Sequence, residues 1–314
     1  MLTRARPAGA EPPLETTRIR LFKWRSLCVT PQFIAQDLLK SEGFTDVQYI
    51  ETPGSLGPER LLAAGEVDIN SQYSAPLIVR IEAGAPVVFL AGLHVGCWEL
   101  FASDTVRTIH ELRGKTVAVP EVGSVHHVFL LTVLAHAGLD ARRDVKFVTA
   151  SPQQSQRLLA DRQVDAYLGF PPDPQELRAK KIGRVLLNST LDRPWSQYFC
   201  CMVAANREFV RKNPVATKRA LRALLKANDV CGLEPERAAR QVVDRGFAAR
   251  YDYTLETMRS IPYAKWREYN PEDTIRFYSL RLHEAEMIKS APQKILAQGT
   301  DWRFLNELKK ELKS

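Results

Sequence analysis

The chain of 314 residues is 45% hydrophobic and 25% charged, the balance of an ordinary globular protein with room for about two domains. No run of about 18 apolar residues occurs, so no segment of the chain as given reads as a membrane-spanning helix. The net charge of +8 lies almost wholly beyond Ala205, on stretches of helical periodicity with no nucleic-acid motif, so it reads as a solvated face and nucleic acid is not expected as a partner.

Residues 1–17 lack apolar periodicity and carry Pro7, Pro12 and Pro13, so a flexible tail or the remnant of an export signal is expected there. Arg4 and Arg6 precede Ala8-Gly9-Ala10, which fits a cleavage site, but the apolar core of a full signal is missing. From Ile19 onward strands and helices alternate, which implies parallel sheets covered on both faces. Strands are expected over 19–22, 47–50, 67–70 and 87–91, with 98–102 extending outward. Between them, Thr30 as N-cap with Pro31 behind it opens a helix that stops at Gly43, and 58–64 is a short helix closed by Gly65. A further helix is expected over 75–83.

Residues 111–127, ELRGKTVAVPEVGSVHH, carry the densest local information. Thr116 to Val119 form a β-branched strand ended by Pro120, and Gly123-Ser124 supply a turn and an N-cap before the apolar run from Val128. A helix entered this way points unpaired amides and the positive end of its dipole outward, where a small polar or anionic solute can dock. The same pattern also serves as a plain strand-to-helix turn. Strands over 117–119, 145–148, 164–168 and 185–187 make a second unit. After 200–204 the chain turns helical, with Asn213 as N-cap and Pro214 at the first position; Leu221, Leu224 and Leu225 face one way, Lys218, Arg219, Arg222 and Lys226 the other. The expected division is 18–102 plus 200–314 as one lobe and 103–199 as the other, with a cleft at the strands' carboxyl ends.

Cys28, Cys97, Cys200, Cys201 and Cys231 are too few and too scattered for a disulfide framework. Adjacent Cys200 and Cys201 in a strand point to opposite faces. His94 and Cys97 have metal-like spacing but no second pair, so no metal and no cofactor are expected. Adjacent His126 and His127 on a helix cannot share one metal. Asp173, within Pro171-Pro172-Asp173-Pro174, reads either as a ligand for a cation or as the cap of the next helix.

The phrases Leu62-Ala63-Ala64-Gly65-Glu66-Val67-Asp68-Ile69, Ala83-Gly84-Ala85-Pro86-Val87-Val88, LRGKTVAVPEVGSVHH, Val164-Asp165-Ala166-Tyr167-Leu168 and Asn206-Arg207-Glu208-Phe209-Val210 occur in that order. In this the sequence resembles the nitrate, sulfonate and taurine type of solute-binding protein of bacterial ABC transporters, and the related fungal enzyme that makes the thiamine pyrimidine precursor. The resemblance implies an α/β, two-lobed type II periplasmic-binding-protein fold, with three-layer αβα lobes and a hinge. It implies a periplasmic, monomeric protein that presents a small organic solute, anionic or heterocyclic, to a permease. The pocket it implies takes Trp24, Cys28, Tyr73, Ser74, Gly123, Ser124, Val125, His126, Phe170, Asp173 and Tyr198, with Ser74 and Ser124 at the head group and Trp24, Tyr73, Phe170 and Tyr198 around the organic body.

Enzymes of the same fold supply the rival reading. The fungal synthase has a cysteine-rich stretch where this chain has Tyr198-Phe199-Cys200-Cys201-Met202, and its cofactor lysine falls near Gln72, which forms no Schiff base. Desulfinases of this fold use a cysteine at the place of Cys28, but residues 55–76 contain no histidine to activate it. The sequence is therefore read as a binding protein rather than an enzyme. A sensor built on the same clamshell looks identical at this level.

Overall fold

The computed structural model describes residues 11–51 and 57–312, so the expected cleavage site at residues 8–10 lies outside the described residues. The first segment runs β1 (Arg18–Phe22), α1 (Thr30–Ser41), β2 (Asp46–Ile50), α2 (Pro58–Ala64), β3 (Ile69–Tyr73), α3 (Ser74–Glu82) and β4 (Val87–Val95). Next come β5 (Glu99–Ala102), β6 (Thr116–Val119), α4 (Val125–His136), β7 (Lys146–Thr149), α5 (Pro152–Ala160), β8 (Ala166–Gly169), α6 (Asp173–Ala179) and β9 (Arg184–Asn188). After β10 (Phe199–Asn206) the chain is helical: α7 (Arg207–Lys212), α8 (Pro214–Leu233), α9 (Pro235–Asp244), α10 (Tyr251–Ser260), α11 (Pro271–Glu284), α12 (Pro292–Gly299) and α13 (Arg303–Glu311).

One lobe holds a five-stranded sheet in the order β7-β6-β8-β5-β9, and the other holds β3-β10-β4 beside the parallel pair β1-β2. The expectation of wholly parallel sheets is corrected at two strands. β5 runs antiparallel to β8 and β9, and β10 antiparallel to β3 and β4. These are the strands next to the two crossovers, where the chain enters one lobe and returns to the other, so they run against their neighbours. The pairing of β5 also places residues 99–102 in the five-stranded sheet, although the sequence boundary groups them with the first lobe.

Side chains join β1 to β3 where a regular ladder does not. Asp68 accepts from the Arg20 amide at 2.8 Å and from its guanidinium at 2.6 Å, and Asn70 Oδ1 accepts from the Phe22 amide at 3.0 Å. Gln32 adds a third link, donating to Phe22 O at 2.6 Å and accepting from the Ser71 amide at 2.7 Å. At the hinge the crossovers touch. Trp98 N donates to Ser189 Oγ at 2.9 Å and Ser189 N to Trp98 O at 2.9 Å. Gly96 has φ +75°, and a Cβ there would lie 2.5 Å from Thr190 Cα, so only glycine lets the two strands pass.

The caps differ from expectation in two places. Thr30 does not cap α1; its hydroxyl donates to Leu27 O at 2.7 Å because a 3-10 turn over Leu27–Val29 leads straight into the helix. Asn213 makes no side-chain cap to α8; the Glu15 carboxylate takes the amides of Val215 and Ala216, both at 3.0 Å. The described part of the expected tail, from Glu11, is thereby anchored. The basic face of α8 is likewise not simply solvated. Arg222, whose side chain is 12% exposed, pairs with Glu11 and Glu42 at 2.6 Å, and Lys218 pairs with Glu307 at 2.8 Å. Among the described residues, no helix is long and apolar enough to cross a membrane.

Candidate functional site between the lobes

Helix α4 is apolar on all sides, so it is buried against both its own sheet and the helices α3 and α11 of the other lobe. That packing carries its N-terminus to the interlobe seam. Ser124 is the N-cap, as its place in the sequence implies, and accepts from the His127 amide at 3.3 Å. The Gly123 amide donates to His127 Nδ1 at 3.1 Å. Both groups are therefore taken up by the turn. The amides of Val125 and His126, first and second in the helix, have no intrahelical acceptor.

His126 lies there among aromatic rings from both lobes. Its ring centroid is 5.2 Å from Trp98 and 4.8 Å from Phe170, while Tyr73 lies 4.8 Å from Trp98 and 5.5 Å from Phe170. Tyr73 comes from the end of β3, Trp98 from the first crossover, and Phe170 follows β8. Trp24 extends the cluster edge to face with Tyr73 at 5.4 Å, but its Nε1 is already bonded to Ser71 O at 3.0 Å. The lobes are latched beside it: Leu27 N donates to Pro171 O at 3.0 Å and Ser26 Oγ to the same oxygen at 3.4 Å.

Three polar atoms in this cluster are buried with no hydrogen-bond partner among the described residues: Trp98 Nε1 and both nitrogens of His126. Burial pushes His126 down to about 3, so the imidazole is neutral and offers one donor and one acceptor. None of Tyr73, Trp98, His126 and Phe170 carries a charge. An unpaired buried donor costs about 1–3 kcal/mol, so the arrangement is poised to accept an outside group.

The other expected site residues fall elsewhere. Ser74 Oγ donates to Phe199 O at 2.8 Å and Cys200 O at 3.1 Å, which ties α3 to β10 and leaves no proton for a head group. Tyr198 stacks on Phe277 of α11 at 4.0 Å, outside the cluster. Asp173 is not a helix cap, since Pro172 holds that position without a side-chain bond. It is buried, accepts from Tyr167 Oη and Gln156 Nε2, and burial raises it to about 6 despite those bonds. An open groove of about 550 Å³ runs on the other side of α4, lined by His127, Leu131, Phe147, Arg142 and Met287. Its polar groups are already paired, His127 with Gly123 and Arg142 with Glu286 at 2.7 Å.

Cys28 sits below Tyr73, its Sγ 3.1 Å from Ser26 Oγ and 3.5 Å from Tyr73 Oη. Burial raises its thiol above the usual range, the opposite of what a thiolate nucleophile needs. The cysteines are all free, but the expectation that Cys200 and Cys201 point to opposite faces is corrected: their sulfurs are 3.9 Å apart, and those of Cys97 and Cys200 are 3.1 Å apart. A break in the β10–β4 register around Cys201 is the reason, since it suspends the two-residue alternation that would turn adjacent side chains to opposite faces. Sequence reasoning did not single out Trp98 as a site residue. Trp98 follows Gly96-Cys97, both at positive φ, and that strained turn is the one signal that could have marked it.

The model of the NMT1-like family matches residues 13–245 of this chain. The taurine-binding periplasmic protein of Escherichia coli (strain K12) is 28% identical over 170 residues, covering 54% of this chain and 52% of that protein. The chain thus spans about half the length of that curated relative. The 4-amino-5-hydroxymethyl-2-methylpyrimidine phosphate synthase THI11 of Saccharomyces cerevisiae is 24% identical over 231 residues, covering 68% of this chain and 66% of the yeast protein. Among solved structures, the periplasmic nitrate-binding protein NrtA from Synechocystis PCC 6803 superposes with a TM-score of 0.77 at 16% identity, covering 96% of this chain and 90% of that one. That likeness carries the two-lobed periplasmic-binding-protein fold, and the family match, which spans most of the chain, makes this protein a member of the NMT1-like family.

Proposed function

We propose that this protein is the solute-binding component of an ABC importer, acting outside the cytoplasmic membrane as a monomer and handing its solute to a permease. The observation that carries the reading is the set of buried polar atoms of Trp98 and His126 that have no partner among the described residues, beside the N-terminus of α4 at the seam where the lobes meet. The solute is a small organic molecule with an acceptor-rich group, sulfonate, carboxylate or heterocyclic nitrogen. That group takes the Trp98 N–H, a His126 nitrogen and the amides of Val125 and His126; the body of the solute stacks on Tyr73 and Phe170. The rings now pack on one another, so entry requires the lobes to part and closure follows binding. The first lobe comprises the strands up to β4 together with β10 and the helices after it, the second β5 to β9, with hinges at residues 96–98 and 189–198.

The protein is proposed not to be an enzyme. Buried Cys28 and Gln72 at the place of the cofactor lysine both oppose the synthase and desulfinase alternatives. The test is a thermal-shift screen over sulfonates, carboxylates, pyrimidines and amines, followed by analysis of the recovered solute. Stabilisation with the solute unchanged supports binding; conversion of the solute that stops in Cys28→Ser contradicts it.

A further inference from the structure

Four of the five cysteines and a histidine form two adjoining triads beneath the hinge. The donor atoms of Cys28, His94 and Cys201 lie within 4.8 Å of one another, and so do those of Cys97, Cys200 and Cys201, with Cys201 shared by both triads. All five side chains are buried, none more than 4% exposed. A buried cysteine ordinarily serves as a small apolar residue, as Cys231 does. Packing alone gives no reason to bring four thiols around an imidazole.

His94 is the second, independent observation. Its Nδ1 lies 3.2 Å from Val95 O, where a proton on Nδ1 makes a hydrogen bond to the carbonyl. That tautomer leaves a lone pair on Nε2, and Nε2 is buried with no partner among the described residues. A backbone carbonyl fixing one nitrogen so that the other is free is the usual support of a metal-ligating histidine. The backbone is also shaped for the cluster. Cys97 holds φ +102°, a strained conformation for a side-chain-bearing residue, and the break in β10 turns Cys200 and Cys201 toward the same point.

We propose that these residues bind one soft cation, zinc(II) or copper(I), through His94 Nε2, the sulfurs of Cys28 and Cys201, and a sulfur of the Cys97–Cys200 pair. Thiolate and imidazole donors select such ions over magnesium or calcium. On binding, each coordinating group that carries a proton, thiol or imidazolium, releases it to solvent as its bond to the metal forms, so that His94 ligates in its neutral form; no electron is transferred. The ligands come from the turn before α1, the end of β4, the first crossover, and the strand that the second crossover enters. The cation therefore ties together the segments about which the lobes turn, and its presence is independent of which solute occupies the seam.

The test uses the full chain without a histidine tag, reduced and handled without oxygen. Cobalt(II) is titrated as the optical probe for the zinc site, zinc(II) is used to displace it, and copper(I) is titrated against a chromogenic chelator. We expect one ion per chain, thiolate-to-cobalt charge-transfer absorption or stoichiometric copper(I) uptake, and proton release in weak buffer. Cys201→Ser and His94→Ala each weaken uptake by at least about tenfold, while Cys231→Ser, which alters a buried thiol outside the cluster, binds as the parent does. Absorption and proton release on the unaltered chain keep the test decisive if a variant fails to fold. The proposal is overturned if neither ion binds, if Cys201→Ser binds as tightly as Cys231→Ser, or if the protein as isolated carries a Cys97–Cys200 disulfide that blocks uptake.

Discussion

The indole of Trp98 and the imidazole of His126 meet edge to face, 5.2 Å between centroids, and neither has a polar partner among the described residues. Trp98 also stacks on Phe129 at 5.1 Å, so its ring is held by packing whether or not its N–H is used. Trp98→Phe keeps most of that packing and deletes the donor. It should weaken solute binding about tenfold, roughly the 1–1.5 kcal/mol of one hydrogen bond, and leave the unfolding midpoint equal or higher. Titration calorimetry and a thermal melt on the same sample read the two effects.

Burial disfavours the His126 cation and pushes the imidazole from its ordinary 6.5 in the unfolded chain down to about 3 in the folded one. Between those values the unfolded chain binds more protons than the folded one, so this residue makes stability fall as pH drops below about 6.5. His126→Asn should flatten that decline by an amount on the order of a few kcal/mol between pH 7 and pH 4. Denaturant unfolding at a series of pH values measures it; equal slopes in the two proteins would place His126 in contact with water.

Asp173 behaves with the opposite sign. Burial raises it from 3.8 to about 6, so the folded chain holds the extra proton between those values and loses stability as pH rises through 6. Asp173→Asn keeps an acceptor for Tyr167 Oη and removes the charge. Its gain over the parent should appear above pH 6, on the order of 1–3 kcal/mol, and vanish near pH 4.

Ser74→Ala separates a structural role from a head-group role. Its hydroxyl already serves the carbonyls of Phe199 and Cys200, so the variant should lose about 1–2 kcal/mol of stability. Solute affinity should change less than threefold. A large loss of affinity with an unchanged melt would return Ser74 to the head group.

Local signals in the sequence located much of this architecture. Pro58 and Gly65 bracket α2 because one fits the first turn and the other takes φ +71° at the C-cap. Ser124 caps α4, and the periodic segments appear in the right order. What local signals could not carry is pairing between distant segments. The antiparallel direction of β5 follows from a crossover, the cap on α8 comes from Glu15 far upstream, and the thiol cluster depends on a register break in β10. The site divides in the same way. His126, Phe170 and Tyr73 were visible as residues at element ends, while Trp98 was hidden because its partner is in the other lobe. Ser74 and Tyr198 entered the expected pocket through the resemblance, and the carbonyls and the Phe277 ring that occupy them are remote in sequence.

The central claim is that one small solute binds at the seam between the lobes and is released unchanged. Titration calorimetry of the best stabilising solute from the thermal-shift screen, on the parent and on Trp98→Phe with His126→Asn combined, tests it most directly. At 100 times its dissociation constant such a solute stabilises the folded chain by about 2.7 kcal/mol, which selects it in the screen. The predicted result is one site per chain in the parent, at least a tenfold weaker site in the double variant, and solute recovered intact. Equal affinity in both proteins, or a solute chemically altered by the parent, would contradict it.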